Sequence, residues 1–114
     1  MVWWWAGHPK LSNGARRTIV GSECVVSVVT YWELGFKIAM GKLQLGHDLD
    51  DLVARDSFEI LDVNRYHARE VWRLPMHHRD PFDRMLVAQA RCEDLVLMTA
   101  DHALGRYDVP IMRA

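Results

Sequence analysis

Apolar positions recur along this chain with two periods, and their alternation predicts an α/β fold. Glu23 to Thr30 (ECVVSVVT) is a β-branched, nearly continuous apolar run, as expected of a strand buried on both faces. The pattern turns helical from Tyr31 to Met40, with Thr30 as the cap and Gly41 as the stop. A short helix is expected around Asp48 to Ala54 and a strand over Phe58 to Val63. Asn64 caps a further helix that runs to about Leu74, where Pro75 ends it. Asp80 then reads as an N-cap, Pro81 as the first helical position and Asp83 as the third, in a helix reaching about Glu93. Leu95 to Ala100 is a second buried strand, Asp101 and one turn lead to Tyr107, and Val109 to Met112 is a last short strand. Upstream, Met1 to Gly7 reads as the end of an apolar helix, and Ser12 caps a short basic helix to Ile19. Buried strands that alternate with helices imply a parallel sheet covered by helices. With no repeat, low-complexity tract or linker, residues 1–114 are expected to form a single domain.

Composition narrows this picture only slightly. Half of the 114 residues are hydrophobic and 25% are charged, an ordinary globular balance. A net charge of −1 gives no bulk electrostatic drive toward nucleic acid or membrane, so any such contact is local. No run approaches the ~20 apolar residues that span a bilayer, and Met1 to Ala6 is too short for a signal peptide. Cys24 and Cys92 form no disulfide framework and no metal-finger spacing. Both are expected to be buried free thiols, which suits a reducing cytoplasm.

The acidic residues carry the chemistry. In an open parallel sheet, ligands bind beyond the carboxyl ends of the strands. Asp101 stands just past one predicted strand, and Glu33 lies in the first turn after another. Asp83 opens the helix that leads into the Leu95 strand. Together they would form an all-oxygen site suited to Mg²⁺ or Mn²⁺, able to activate water and stabilise charge on a phosphodiester. Arg84 and Lys37 stand beside two of these acids as candidate phosphate contacts. Structural readings stay open at this point. Asp80 can simply cap its helix, and Asp83 can complement the helix dipole by about 0.3–1 kcal/mol. Asp101 can cap the turn after it, and Glu33 with Lys37 can be a surface pair. His77 and His78 have no partners at zinc-ligand spacing and read as loop surface. Trp32 and Phe36 read as core rather than as a base-stacking platform. There is no glycine-rich phosphate loop and no nucleophile elbow.

Four blocks in order, WWWAGHPKLS, VVSVVTYWELGFKIAMGKLQL, LPMHHRDPFDRMLVAQA and LVLMTADHALGRYDVPI, cover nearly the whole chain. They resemble the PIN-domain ribonucleases, and most closely the VapC-type toxins of toxin–antitoxin pairs. The resemblance implies a three-layer α/β fold around a central parallel sheet. It also implies an Mg²⁺- or Mn²⁺-dependent endoribonuclease, often a homodimer, silenced by a cognate antitoxin. Matched by motif, Glu33 is the family's second acid, Asp83 the third and Asp101 the fourth, while Thr99 is a frequent polar neighbour of the site. Asp80 belongs to the subgroup's motif but matches no core acid.

One departure stands beside these matches. Family members open on a short apolar strand ending in Asp, which lies mid-sheet and supplies the first metal ligand. Here Met1-Val2-Trp3 corresponds to the inside of the family's first helix. The expectation is therefore a chain lacking that strand and acid, with reduced stability and weak or no activity. A start codon placed too late, or a decayed gene, would account for it. The alternative functional reading is a non-catalytic remnant that binds an antitoxin as a decoy.

Overall fold

The structure is a computed structural model that describes residues 25–42, 50, 59–99 and 101–113. The helices expected at Met1–Gly7 and at Ser12–Ile19, the missing-strand expectation, Cys24 and all but Asp50 of the Asp48–Ala54 helix lie outside these residues. In chain order the elements are β1 (Val25–Ser27), α1 (Val28–Ala39), β2 (Glu59–Leu61), α2 (Arg65–Arg73), α3 (Pro81–Glu93), β3 (Leu97–Thr99), a 3₁₀ turn (His102–Arg106) and β4 (Ile111–Arg113). Among the described residues the strands are short and pair in parallel, as two two-stranded sheets. β1 pairs with β2, Val26 opposite Ile60, and β3 pairs with β4, Met98 opposite Met112. The molecule is α/β, as the alternating pattern predicted.

The first strand is shorter than its sequence suggests. Ser27, not Thr30, caps α1: its Oγ accepts from the Val29 N–H at 3.0 Å. Val28, Val29 and Thr30 are β-branched yet helical. Burial of Val29 and Thr30 outweighs their weak helix propensity of a few tenths of a kcal/mol per residue. The helix stops at Gly41, whose φ of 72° is open to glycine at no steric cost. Downstream the sequence signals hold closely. Asn64 caps α2 in a capping box whose third-position partner is His67. Asp80 caps α3, with Pro81 at the first helical position.

Helix α3 is the axis of the core. Leu86, Val87, Ala88, Gln89 and Ala90 are all buried, so it is covered on more than one face, by α1, α2 and β3. Its apolar residues cluster with Val29, Leu74, Leu97, Leu104 and Tyr107. Gln89, at 0% exposure, satisfies its amide inside this core. Its Oε1 accepts from Ser27 Oγ. Its Nε2 donates to Asp62 O (3.3 Å) and lies 3.4 Å from His67 Nδ1. That nitrogen also accepts from the Asn64 N–H at 3.2 Å. His67 Nδ1 is therefore the acceptor, and Nε2–H donates to Glu93 Oε1 at 2.7 Å. This network ties β1, the entry to α2 and the end of α3 together, with its buried groups paired as burial demands.

Three sequence expectations are corrected here. Trp32 and Phe36 are 66% and 51% exposed, not core. Val29, Thr30, Glu33 and Leu34 take the inward face of α1, and residues 32 and 36 fall on another. Both rings still contact Phe82, with centroids 4.8 and 6.0 Å away. Cys92 is exposed rather than buried, because the last turn of α3 emerges from the core. Partial desolvation, then Glu70 and Glu93, push its thiol pKa up, which keeps it a poor nucleophile.

Candidate metal centre

The start of α3 gathers the acids that the sequence singled out into two groups that share Asp83, with Glu33 in one and Asp101 in the other rather than all three in a single cluster. Asp80 caps the helix, its Oδ1 accepting from Phe82 N (2.8 Å) and Asp83 N (3.2 Å). That bond pattern fixes the first turn and turns Asp83 into a defined position. Glu33 reaches the same point from the second turn of α1, six residues past the carboxyl end of β1. The Trp32 and Phe36 contacts with Phe82 hold α1 against α3 beside it. One carboxylate oxygen from each of Glu33, Asp80 and Asp83 lies within 4.8 Å of the others. Asp83 is shared with a second group, His78, Asp83 and Asp101, gathered within the same limit. Asp101 comes from the carboxyl end of β3, where its N–H donates to Thr99 Oγ1 at 3.1 Å and its Oδ1 caps the turn through Ala103 N.

The electrostatics follow from this crowding. Glu33 is 6% exposed. Burial pushes its pKa up from the ordinary 4.5, Lys37 pulls it down, and Asp83 and Asp80 push it up again. Burial also raises Asp83 above its ordinary 3.8, helped by Asp80 and Asp101 and opposed by His78. Both acids are thus held where their charged form is disfavoured. A divalent cation is the natural counter-charge, and oxygen donors in this number suit a hard one. The residues present fit such a group.

The remaining candidates fall differently. Lys37 pairs with Glu33 at 3.6 Å, and its side chain is about half exposed, so its ammonium sits at the rim of the acidic point. Thr99 is buried and anchors the Asp101 backbone. Arg84 does not reach the site. It is 7% exposed, and its guanidinium donates to Pro75 O and Tyr107 Oη at 3.0 Å, to Val71 O at 3.0 Å, and more weakly to Leu74 O and His78 O. Its donors are spent on the loop between α2 and α3, which leaves no fork facing outward for a phosphate. Thr30, one turn before Glu33, is buried with its hydroxyl unpartnered.

The residue that the sequence reading missed is His78. Its Nε2 lies 2.9 Å from Asp83 Oδ2 and 3.2 Å from Asp101 Oδ2. The pair His77-His78 has no partner at zinc-ligand spacing, so spacing alone does not single it out. The signal that finds it is position: a histidine in the loop just ahead of a helix whose first turn carries the acids.

These features define an α/β domain with an acidic site at the carboxyl ends of its parallel strands. Within that class the family is identifiable. Residues 1–110 match the PIN domain, and the chain belongs to this family, whose members are generally nucleases that use divalent metals and bind RNA. No match was found among curated proteins. Among the described residues no helix is long and apolar enough to cross a membrane.

Proposed function

We propose that the chain is an Mg²⁺- or Mn²⁺-dependent endoribonuclease of the VapC toxin type, a cytoplasmic homodimer held silent by a cognate antitoxin. The observation that carries the nuclease part is the convergence on Asp83. Two carboxylates, Glu33 and Asp80, close on it from one side, with Asp101 and His78 on the other, and both Glu33 and Asp83 are pushed toward protonation. In this reading Glu33, Asp83 and Asp101 hold the cation. A cation bound there would lower the pKa of a coordinated water and offset charge on the phosphodiester. Asp80 sets the first turn of α3 and adds negative potential. Lys37, at the rim, contacts a backbone phosphate, and Thr99 keeps Asp101 in place. Arg84 acts through the loop it clamps. The toxin assignment rests on the LPMHHRDPFDRMLVAQA and TAD motifs.

Purified protein incubated with single-stranded RNA tests the first part. Cleavage should appear with Mg²⁺ or Mn²⁺, disappear with a chelator, and be absent in Asp101→Asn. Cation-independent cleavage would overturn it, and no cleavage of any RNA would overturn it in favour of the non-catalytic remnant expected from the sequence as the alternative. Expression alone and beside the product of the neighbouring gene tests the second. Growth arrest relieved by that partner is expected, and binding without any RNase activity would favour the decoy.

A further inference from the structure

We propose that His78 is a nitrogen ligand of the cation site and inclines it toward Mn²⁺ over Mg²⁺. This rests on the reading of the site as a divalent-cation centre. An octahedral cation with bonds of about 2.1 Å sets neighbouring ligand atoms roughly 3.0 Å apart. His78 Nε2 already stands 2.9 Å from Asp83 Oδ2 and 3.2 Å from Asp101 Oδ2, so the nitrogen has the spacing of a co-ligand to each carboxylate, and the three residues offer ligand atoms within 4.8 Å of one another. The loop that carries the imidazole is fixed on both sides. The His78 N–H donates to Tyr107 Oη at 3.0 Å, and Arg84 Nη1 reaches His78 O, Pro75 O and that same Tyr107 Oη. Tyr107 and Arg84 are themselves buried. Such support is what holds a first ligand in productive geometry. The neighbouring His77 takes a different course, its ring packed edge-on against Tyr107 at 5.1 Å.

Donor chemistry sets the preference. Mg²⁺ dehydrates reluctantly and keeps to oxygen ligands and waters; Mn²⁺ shares the preference for carboxylates but, as a transition cation, accepts one imidazole nitrogen more readily. A site of carboxylates alone would separate the two weakly, and one imidazole nitrogen separates them further.

Pulsed EPR on the Mn²⁺-loaded protein reads the bond directly, through the ¹⁴N coupling of a bound imidazole, without reference to catalysis. The wild type should show it, as should His77→Phe, which keeps a ring against Tyr107. His78→Gln should lose the coupling and at least about 10-fold in Mn²⁺ affinity, the lower end of what losing a supporting residue alone costs, with a smaller loss for Mg²⁺ in competition titrations. Mn²⁺ bound without ¹⁴N coupling in the wild type, or coupling that survives in His78→Gln, would overturn the proposal and leave the carboxylate site standing. Failure of either cation to bind the wild type would overturn both.

Discussion

Helix α3 carries a histidine–carboxylate pair at each end, and the two ends differ in how their charge is balanced. At its C-terminal end His67 is fully buried, one ring nitrogen accepting from Asn64 N and the other donating to the single carboxylate of Glu93. At its N-terminal end His78 faces two carboxylates at once, Asp83 and Asp101, with Glu33 and Asp80 crowded against Asp83. The first arrangement is closed: donors meet acceptors, and it holds three elements together. The second is an excess of acceptors over donors, which an added cation would match. Contact between a histidine and an acid is thus no guide to function; the uncompensated charge around it is.

The largest contrast should appear in RNA cleavage. Asp83→Asn should lower kcat/KM at least about 1000-fold, roughly 4 kcal/mol of transition-state stabilisation, while Glu93→Gln stays within about twofold of the wild type. Equal losses in a steady-state assay would erase the distinction between the two ends.

Arg84→Met comes next, and its effect should be on stability. Several buried carbonyls lose a charged donor, at about 1–3 kcal/mol each, so a loss of about 3 kcal/mol or more is expected in chemical denaturation. At a temperature where the variant stays folded, its KM for RNA should hold if Arg84 only clamps the loop. A selective rise in KM would restore the phosphate contact expected from sequence.

His67→Ala should cost about 2 kcal/mol, because it strips the acceptor from Asn64 N and a partner from Gln89. Cation affinity, measured calorimetrically, should not change. A drop would mean that the two ends of α3 are coupled.

The smallest effect is a pH slope. A carboxyl whose pKa is raised on folding adds stability that is complete below its unfolded value, near 4.5 for Glu33 and 3.8 for Asp83, and that is lost as pH rises through the raised folded value. Without cation, stability should fall across that window on going toward neutral pH. Glu33→Gln should flatten the fall, and an unchanged slope would show that the crowding is relieved in solution.

Much of the N-terminal end of α3 was legible in the sequence, because capping is local chemistry. Asp80, Pro81 and the third-position Asp83 sit where their side chains dictate, and Asn64 opens α2 for the same reason. Glu33 and Asp101 were found because strand ends in a parallel sheet mark the rim where sites form. What escaped the sequence depended on tertiary contacts. The helix α1 begins three residues early because Ser27 caps it and burial overrides β-branched propensity. Arg84 reads as a free cation next to an acid, yet the carbonyls that take its donors belong to the end of α2 and the connection after it, six to thirteen residues back, where no spacing rule reaches. His78 was invisible for the same reason: its partners lie five residues on and past β3.

The most direct test of the contrast between the two ends is the melting temperature with and without Mn²⁺. Binding to the folded state alone should stabilise the wild type by about 2.7 kcal/mol at a hundred times Kd. Wild type and Glu93→Gln should rise together, and Asp83→Asn should not move. A rise in Asp83→Asn equal to that of the wild type, or no rise in the wild type at all, would contradict a cation site at the start of α3.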